Sequence, residues 1–217
     1  MTVDRETLLE AVRKAKEAKG ERRLKQSFEI SIAVEGLNPK KPESRVTVEV
    51  TLPHVPGRPQ RILFFADGEL ARRARDGGAD IVIGREEIQR LEGNKKEIKK
   101  LVEKCDLTAA QAELMVLVGK IFGPVLGPRG KMPRPVPSTA DPVPLIEKLR
   151  RTVRIMNRGQ LCFQARIGDE TMKDEELAEN AATVVEEIER KIADIGGKIK
   201  AVYLKTTMGK PAKVVVK

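Results

Sequence analysis

The sequence has few of the residues that form covalent or catalytic sites. It contains two cysteines, Cys105 and Cys162, far apart and in unlike contexts, and one histidine, His54, in a proline-rich stretch. No CxxC or cysteine–histidine spacing occurs, so neither a disulfide scaffold nor a zinc site is indicated. No Ser-His-Asp or Cys-His set can be assembled either. We therefore predict a protein that is not an enzyme and that has no catalytic residues, no cofactor and no metal site.

A phosphate-binding loop of the nucleotide-binding type is also missing. The pair Gly130-Lys131 would need a glycine at the position of Val125 and a serine or threonine at the position of Met132. No G-x-G-x-x-G pattern follows a predicted strand, so a dinucleotide site is unsupported.

Aromatic residues and long apolar runs are scarce. The chain has five phenylalanines, one tyrosine and no tryptophan, and Phe28 and Phe163 fall at strand positions that look buried. A stacking platform for single-stranded bases is therefore doubtful, and folded RNA is the better candidate among RNA ligands. No apolar run approaches the length of a membrane span, and the sequence starts without a signal peptide. We expect a cytoplasmic protein without a membrane partner.

Positive charge is abundant and unevenly placed. The net charge is +10 and the pI about 9.7. Three stretches, 114–140, 148–168 and 195–217, carry four, six and six basic residues and no acidic one. Such tracts favour a polyanionic partner. A surface rich in lysine and glutamate, as in a heat-adapted protein, is the alternative.

The two ends of the chain share one pattern of apolar residues. A helix is predicted over Asp4–Lys19 and another over 177–195, where apolar residues recur at helical spacing. Alternating apolar residues predict strands over 28–34, 46–52, 161–167 and 199–207, and a further short strand is possible over 213–217. Together these elements predict an antiparallel four-stranded sheet with two helices on one face.

The middle of the chain has a different pattern of apolar residues. Ile62–Phe65 is a continuous apolar run, which is typical of a strand covered on both faces. Helices and strands alternate after it, with a helix over 68–75, a short strand over 80–83 and a helix over 85–91. An apolar stretch over 102–107 follows, in which Cys105 could be buried, then a helix over 109–121 that Thr108 could cap and a helix over 144–154. This order predicts an inserted, Rossmann-like three-layer α/β domain. The fold class is thus α+β with two domains, residues 1–56 with 150–217, and residues 57–149.

A segment rich in glycine and proline, 123–137, lies near the end of the inserted part. Its three glycines and five prolines favour a stiff loop over a helix or a central strand. With Pro53–Pro59, the stretch 123–142 is predicted to be one of two linkers on which the inserted domain moves.

A polar turn follows the last long strand, over Lys205–Pro211. Two threonine hydroxyls could meet 2′-OH groups, Met208 could contact a ribose or base, Gly209 would allow close approach, and the two lysines could meet phosphates. An ordinary exit from a strand explains the same residues, so both interpretations stay open.

Two stretches, 123–135 and Thr206–Gly209, are similar to signatures of the family of large-subunit ribosomal protein L-one, in its archaeal type. The similarity extends along nearly the whole chain. It implies a structural, lateral-stalk protein of the large ribosomal subunit that binds large-subunit rRNA. It also implies contact with other large-subunit components, assistance in the release of deacylated tRNA from the exit site, and translational repression through its own mRNA. We expect a monomer when the protein is free.

By motif, the resemblance places RNA binding on Phe28 and on Thr207–Gly209, and Gly168 matches a family pattern. Ala201 stands where bacterial members have a serine. Arg166 is added from its charge. The predicted RNA-binding set is Phe28, Glu29, Ser31, Arg166, Gly168, Lys205, Thr206, Thr207, Met208, Gly209 and Lys210. Two alternatives remain: a regulator acting on mRNA away from the ribosome, and a nucleic-acid enzyme using the inserted part.

Overall fold

The structure is a computed structural model that describes residues 4–21, 23–38, 44–157 and 159–215. Its helices are α1 (Arg5–Glu17), α2 (Gly68–Asp76), α3 (Arg85–Arg90), α4 (Lys95–Lys104), α5 (Met115–Ile121), α6 (Gly123–Leu126), α7 (Pro142–Arg151) and α8 (Asp174–Ala193). Its strands are β1 (Ser27–Glu35), β2 (Thr47–Thr51), β3 (Ile62–Phe65), β4 (Ile81–Ile83), β5 (Leu107–Gln111), β6 (Arg134–Val136), β7 (Thr152–Met156), β8 (Cys162–Asp169), β9 (Lys198–Thr206) and β10 (Ala212–Val214). The chain divides into two compact units, Met1–Pro59 with Arg151–Lys217, and Gln60–Arg150. We call them the split unit and the inserted unit.

The split unit contains an antiparallel four-stranded sheet in the order β10-β9-β1-β8. Its fourth strand is β10, and not β2 as the strand list above implied. The sequence prediction was wrong here because alternation marks a half-buried strand without naming its partner. Of the predicted strand over 213–217, residues 216 and 217 lie outside the described residues.

Strand β2 pairs instead with β7 in a separate two-stranded ribbon, from Thr47 opposite Met156 to Thr51 opposite Thr152. The helix predicted over 144–154 therefore ends at Arg151, and the chain becomes a strand from Thr152. The sequence Thr-Val-Arg-Ile-Met is rich in β-branched residues, which prefer strands. The helical period of the preceding residues hid this change.

One apolar core lies between the sheet and the helices α1 and α8 of the split unit. Phe28, Ile30 and Ile32 alternate into it from β1 and are at most 1% exposed. Helix α8 contributes a buried face at helical spacing, including Leu177, Val184 and Ile188. Because both helices bury their apolar faces against the same side of the sheet, the residues that the structure describes place no helix on its other side.

The inserted unit is built on a parallel sheet in the order β4-β3-β5-β6. Successive side chains of β3 enter two different cores: Leu63 and Phe65 pack in one, Ile62 and Phe64 in the other. All four are fully buried. A strand covered on both faces reads as a continuous apolar run, as expected from the sequence.

The helix predicted over 109–121 was wrong at its start. The apolar stretch 102–107 is not one element, because α4 continues to Lys104 and β5 starts at Leu107. Thr108 is therefore a strand residue and not a helix cap, and the following helix begins only at Met115. Ile98 and Val102 are the buried face of α4 at i and i+4, a helical signal that the many lysines obscured.

The segment rich in glycine and proline is part of the inserted unit and not a linker. Gly123–Leu126 forms one helical turn, which Pro124 tolerates because it occupies the first turn, where its missing N–H has no partner to lose. Arg134–Val136 is an edge strand, the position in a sheet that accepts proline. The exclusion of a central strand was correct, and residues 127–133 do form a loop.

Within the described ranges, no helix is both long enough and apolar enough to cross a membrane.

Candidate nucleic-acid interface

The uncovered side of the split unit's sheet carries polar side chains. Along β1, the residues between the buried ones, Ser27, Glu29, Ser31 and Ala33, are half-exposed. This is the alternation that a sheet with one open face requires. Half of each long strand is therefore committed to the core, and the other half is available to a partner.

Register aligns these outward side chains into rows across three strands. Glu29 lies opposite Lys205 of β9 on one side and opposite Arg166 of β8 on the other. Ser31 lies between Tyr203 and Gln164 in the same way. Directly opposite residues share a face of a sheet, so these side chains form one continuous surface.

A shallow depression of about 420 Å³ lies on this surface. Four of the predicted site residues line it, Glu29, Ser31, Arg166 and Lys205, together with Ile30, Gln164 and Ala165. Two cations flank one carboxylate there, so the depression presents donors to phosphate and acceptors to hydroxyl groups. The structure thus brings together residues from three separate parts of the sequence.

The turn after β9 borders the same face. Thr207 donates its backbone N–H to the carbonyl of Ser27 at 3.1 Å, and Met208 donates its N–H to Oε1 of Gln26 at 2.9 Å. Gly209 bonds back to the carbonyl of Thr206. These bonds fix the turn to the start of β1. The side chain of Met208 is left 65% exposed, so the turn is ordered while its apolar tip is free to contact a partner.

The Thr207 hydroxyl has an internal acceptor. Its Oγ1 lies 2.9 Å from Oε1 of Glu29 and 3.3 Å from the carbonyl oxygen of Ser27. A hydroxyl has one proton, and here it is given to an acceptor of the protein. The oxygen lone pairs of Thr207 then remain available to a donor such as a ribose 2′-OH.

Glycine is required at position 209 by space. A Cβ there would lie 2.3 Å from Oγ1 of Thr206 and 3.1 Å from Cα of Lys19. At Gly168 a Cβ would lie 2.4 Å from Cδ2 of Leu177 and 2.7 Å from Sδ of Met172. Gly168 is itself buried, so it serves the packing of α8 and offers no surface.

Two further predicted residues are buried. Phe28 is fully buried in the core of the split unit, as its strand position indicated, so its ring does not lie on the open face. Thr206 is also fully buried, and its Oγ1 has no hydrogen-bond partner within the described structure. Both residues support the surface from beneath. For Thr206 an outward hydroxyl was considered, because strand ends carry no burial signal of their own.

Arg166 has a second role in the structure. Its Nη2 donates to the carbonyl of Pro56 at 2.9 Å, and its Nε donates to the carbonyl of Gly168 at 3.3 Å. The same segment is held by the buried Asn180, whose side chain pairs with both backbone groups of His54. Arg166 therefore orders residues 54–56 and also borders the open face.

A buried carboxylate lies next to this region. Asp169 is 3% exposed and accepts from the backbone and side chain of Thr171 and from Lys25, whose Nζ lies at 2.8 Å. Burial by itself would raise the pKa of Asp169, but these donors hold the pKa below its ordinary value. The ionised carboxylate therefore belongs to the native structure.

Sequence reasoning missed two contributors to the surface. Tyr203, the one tyrosine of the chain, lies half-exposed in the row with Ser31, and alternation with Lys205 could have placed it there. Gln26, 5% exposed, holds the turn through Met208, and no periodic pattern marks it. Among the described residues, no group of histidine, cysteine and acidic side chains could hold a metal ion.

These features define a class of protein: a split α+β unit with an open polar sheet face that carries an inserted parallel α/β unit. The chain belongs to the Ribosomal protein L1p/L10e family, whose model matches residues 12–210. This confirms the resemblance found in the sequence. The family is structural and non-enzymatic, and its ribosomal role places the chain in the cytoplasm.

The chain is similar over nearly its whole length to archaeal proteins named Large ribosomal subunit protein uL1. It is 44% identical to that of Methanothermobacter thermautotrophicus over 208 residues, which cover 96% of this chain and 98% of the relative. Identity is 41% to the protein of Archaeoglobus fulgidus, covering 99% and 100% of the two chains. It is also 41% to that of Methanocaldococcus jannaschii, covering 98% and 96%.

Proposed function

We propose that the protein is a structural component of the large ribosomal subunit that binds folded rRNA at the lateral stalk through its split unit. The observation that carries this proposal is the row Lys205–Glu29–Arg166 beside the ordered turn Thr207–Lys210. A rigid surface with alternating donors and acceptors suits the phosphates and 2′-OH groups of folded RNA. The names of the relatives, which are proteins of the large ribosomal subunit, support the ribosome as the place where this RNA is bound.

In this mechanism the contacts divide by chemistry. Lys205 and Lys210 neutralise phosphates, and Thr207 accepts from a 2′-OH while its proton stays with Glu29. Met208 and Tyr203 supply apolar and aromatic contact to a ribose or base. Phe28, Thr206 and Gly168 preserve the shape of the surface. The split unit acts as the rRNA-binding domain, and the inserted unit is carried as a second domain that meets other RNA.

The family resemblance adds further partners to the proposal. The protein assists the release of deacylated tRNA from the exit site, contacts other components of the large subunit, and represses translation through a structure in its own mRNA that resembles the rRNA site. Free of the ribosome it is a monomer. Competition between rRNA and mRNA fragments for the same protein separates a ribosomal protein from a dedicated regulator, which would not prefer the rRNA fragment.

A gel-shift titration of the full chain with a stalk-base rRNA fragment, at about 50 and 200 mM salt, tests the proposal. We expect tight binding that weakens strongly with salt. Lys205→Gln with Lys210→Gln should lower the slope of log affinity against log salt by roughly 1.8, since each lost phosphate contact removes about 0.9. The matched control is Lys14→Gln with Lys191→Gln on the helical side. An equal loss in both double variants would contradict the assignment of the sheet face.

A further inference from the structure

Helix α4 of the inserted unit carries an unusual amount of positive charge. Five of its ten residues are lysines, all exposed, and two are glutamates. The lysines are Lys95, Lys96, Lys99, Lys100 and Lys104. Ile98 and Val102 attach the helix to the core of the unit from the opposite side, so the lysine-rich side faces outward.

None of these five lysines forms an ion pair within the part of the chain that the structure describes. Glu103, four residues after Lys99, pairs instead with Arg129 at 3.0 Å. Other cations of the same unit do have carboxylate partners: Arg73 with Glu69 at 3.2 Å, Arg90 with Glu86 at 3.7 Å and Lys120 with Glu92 at 2.9 Å. Among the described residues, the lysines of α4 thus lack ion-pair partners, whereas these three cations of the same unit have them.

The placement of several of these lysines also opposes the stability of the helix. Lys95 and Lys96 lie in its first turn, where the helix dipole disfavours cations. Lys96, Lys100 and Lys104 follow one another at i, i+4 and i+8, a spacing at which like charges repel. The helix is instead secured at its ends, by Asn94 at the start and by Lys131, whose Nζ donates to the carbonyl of Val102 at 3.0 Å. Lys104, in the last turn, suits the helix dipole, but local stability does not explain the other four lysines.

A row of cations about 12 Å long, from Lys96 to Lys104, matches a partner with regularly spaced negative charge. The phosphate backbone of an RNA duplex has this property. A membrane surface fits less well, because a helix that binds one inserts an apolar face, and the apolar face of α4 is buried in the unit.

We propose that the lysine-rich face of α4 binds the phosphate backbone of a second structured RNA, distinct from the RNA held by the sheet of the split unit. This inference rests on the proposed function, because it takes the rRNA bound by the split unit as the first RNA. Recognition is by charge and shape, without reading of sequence, because lysines that contact phosphate carry no base information.

The test uses the full chain bound to the stalk-base rRNA fragment. A fluorescently labelled RNA duplex of about 16 base pairs and unrelated sequence is then titrated into this complex, and its anisotropy is followed at two salt concentrations. The variant is Lys96→Gln with Lys100→Gln and Lys104→Gln, since glutamine keeps the helix propensity. The matched control, Arg73→Gln with Arg90→Gln and Lys120→Gln, removes the same charge from ion-paired positions of the same unit.

We expect the α4 variant to bind the duplex at least tenfold more weakly and to lower the salt slope by about 2 to 3, with the control near wild type. Replacing the three lysines by arginine should preserve duplex binding, because the charge remains. If the rRNA complex forms but the two glutamine variants bind the duplex equally, the α4 inference is wrong. Displacement of the duplex by an acidic peptide, but not by excess unlabelled duplex, would overturn it as well. Failure of the rRNA complex itself would count against the proposed function instead.

Discussion

The two units differ in how their sheets are covered, and the difference explains where binding is expected. In the split unit, β1 buries every second residue and leaves Glu29 and Ser31 on an open face. In the inserted unit, β3 buries all four of its residues between two helical layers. An open sheet face can be a rigid contact surface, whereas a sheet covered on both sides can only support what lies around it. A partner of the inserted unit must therefore meet helices or loops.

Substitutions in the two strands give the largest expected effects. In β3, Phe64→Ala and Phe65→Ala should each lower the free energy of unfolding by about 3–5 kcal/mol, because each ring fills a separate core. In β1, Phe28→Ala should cost a similar amount, but Ser31→Ala should change stability by only about 0.5 kcal/mol. Urea denaturation followed by circular dichroism measures these values. A large loss of stability for Ser31→Ala would show that the side chains of the open face contribute to folding.

The next effect concerns binding. Thr207→Val should weaken the rRNA complex by about 1–3 kcal/mol, because a buried polar contact to the ligand loses its partner. Thr47→Val, at an exposed position of the β2–β7 ribbon, is the matched control and should leave the affinity unchanged. Titration of both variants with the same rRNA fragment decides the matter, provided their circular dichroism spectra match the wild type. Equal affinities for the two variants would remove Thr207 from the site.

A comparable effect, on stability and dependent on pH, is expected at Asp169, which supports the edge of the open face. Asp169→Asn should destabilise the split unit by roughly 1.5–3 kcal/mol near neutral pH, since hydrogen bonds to a charged group are lost. The pKa of Asp169 is lowered in the folded state, so its stabilisation is fully present above the unfolded pKa and is lost as pH falls through the folded pKa.

The difference in the free energy of unfolding between wild type and Asp169→Asn should therefore disappear below about pH 4. Urea denaturation of both proteins across pH 2–7 measures it. A gap that stays constant to the lowest pH would show that the carboxylate charge does not contribute.

Patterns along the chain predicted the elements better than their pairing. The alternation of β1, the helical period of α8 and the continuous run of β3 each have a local physical cause, and the structure contains all three elements. The choice between β2 and β10 as the fourth strand depends on contacts far apart in sequence, which alternation does not encode. The change from α7 to β7 at Thr152 is likewise decided by pairing with β2.

The sequence predicted the candidate site only in part. Residue types alone singled out Thr207–Lys210, and the structure places this turn beside Glu29. The burial of Phe28 was evident from the alternation of β1, whereas that of Thr206 was not, because a strand terminus gives no sign of which side faces the core. Gln26 acts through one hydrogen bond to a backbone amide, and such a contact leaves no pattern in a sequence.

The most direct test of the account is rRNA binding by the split unit without the inserted one. The ribbon already joins the two ends of the split unit, since Thr51 lies opposite Thr152 and Leu52 donates to the carbonyl of Arg151 at 3.0 Å. Replacing Gln60–Arg150 by a short glycine–serine linker should therefore leave a folded protein, checked by circular dichroism. The account predicts that its affinity for the stalk-base rRNA fragment, measured by gel shift, stays within about 1 kcal/mol of the full chain. A folded remainder that no longer binds this RNA would contradict it.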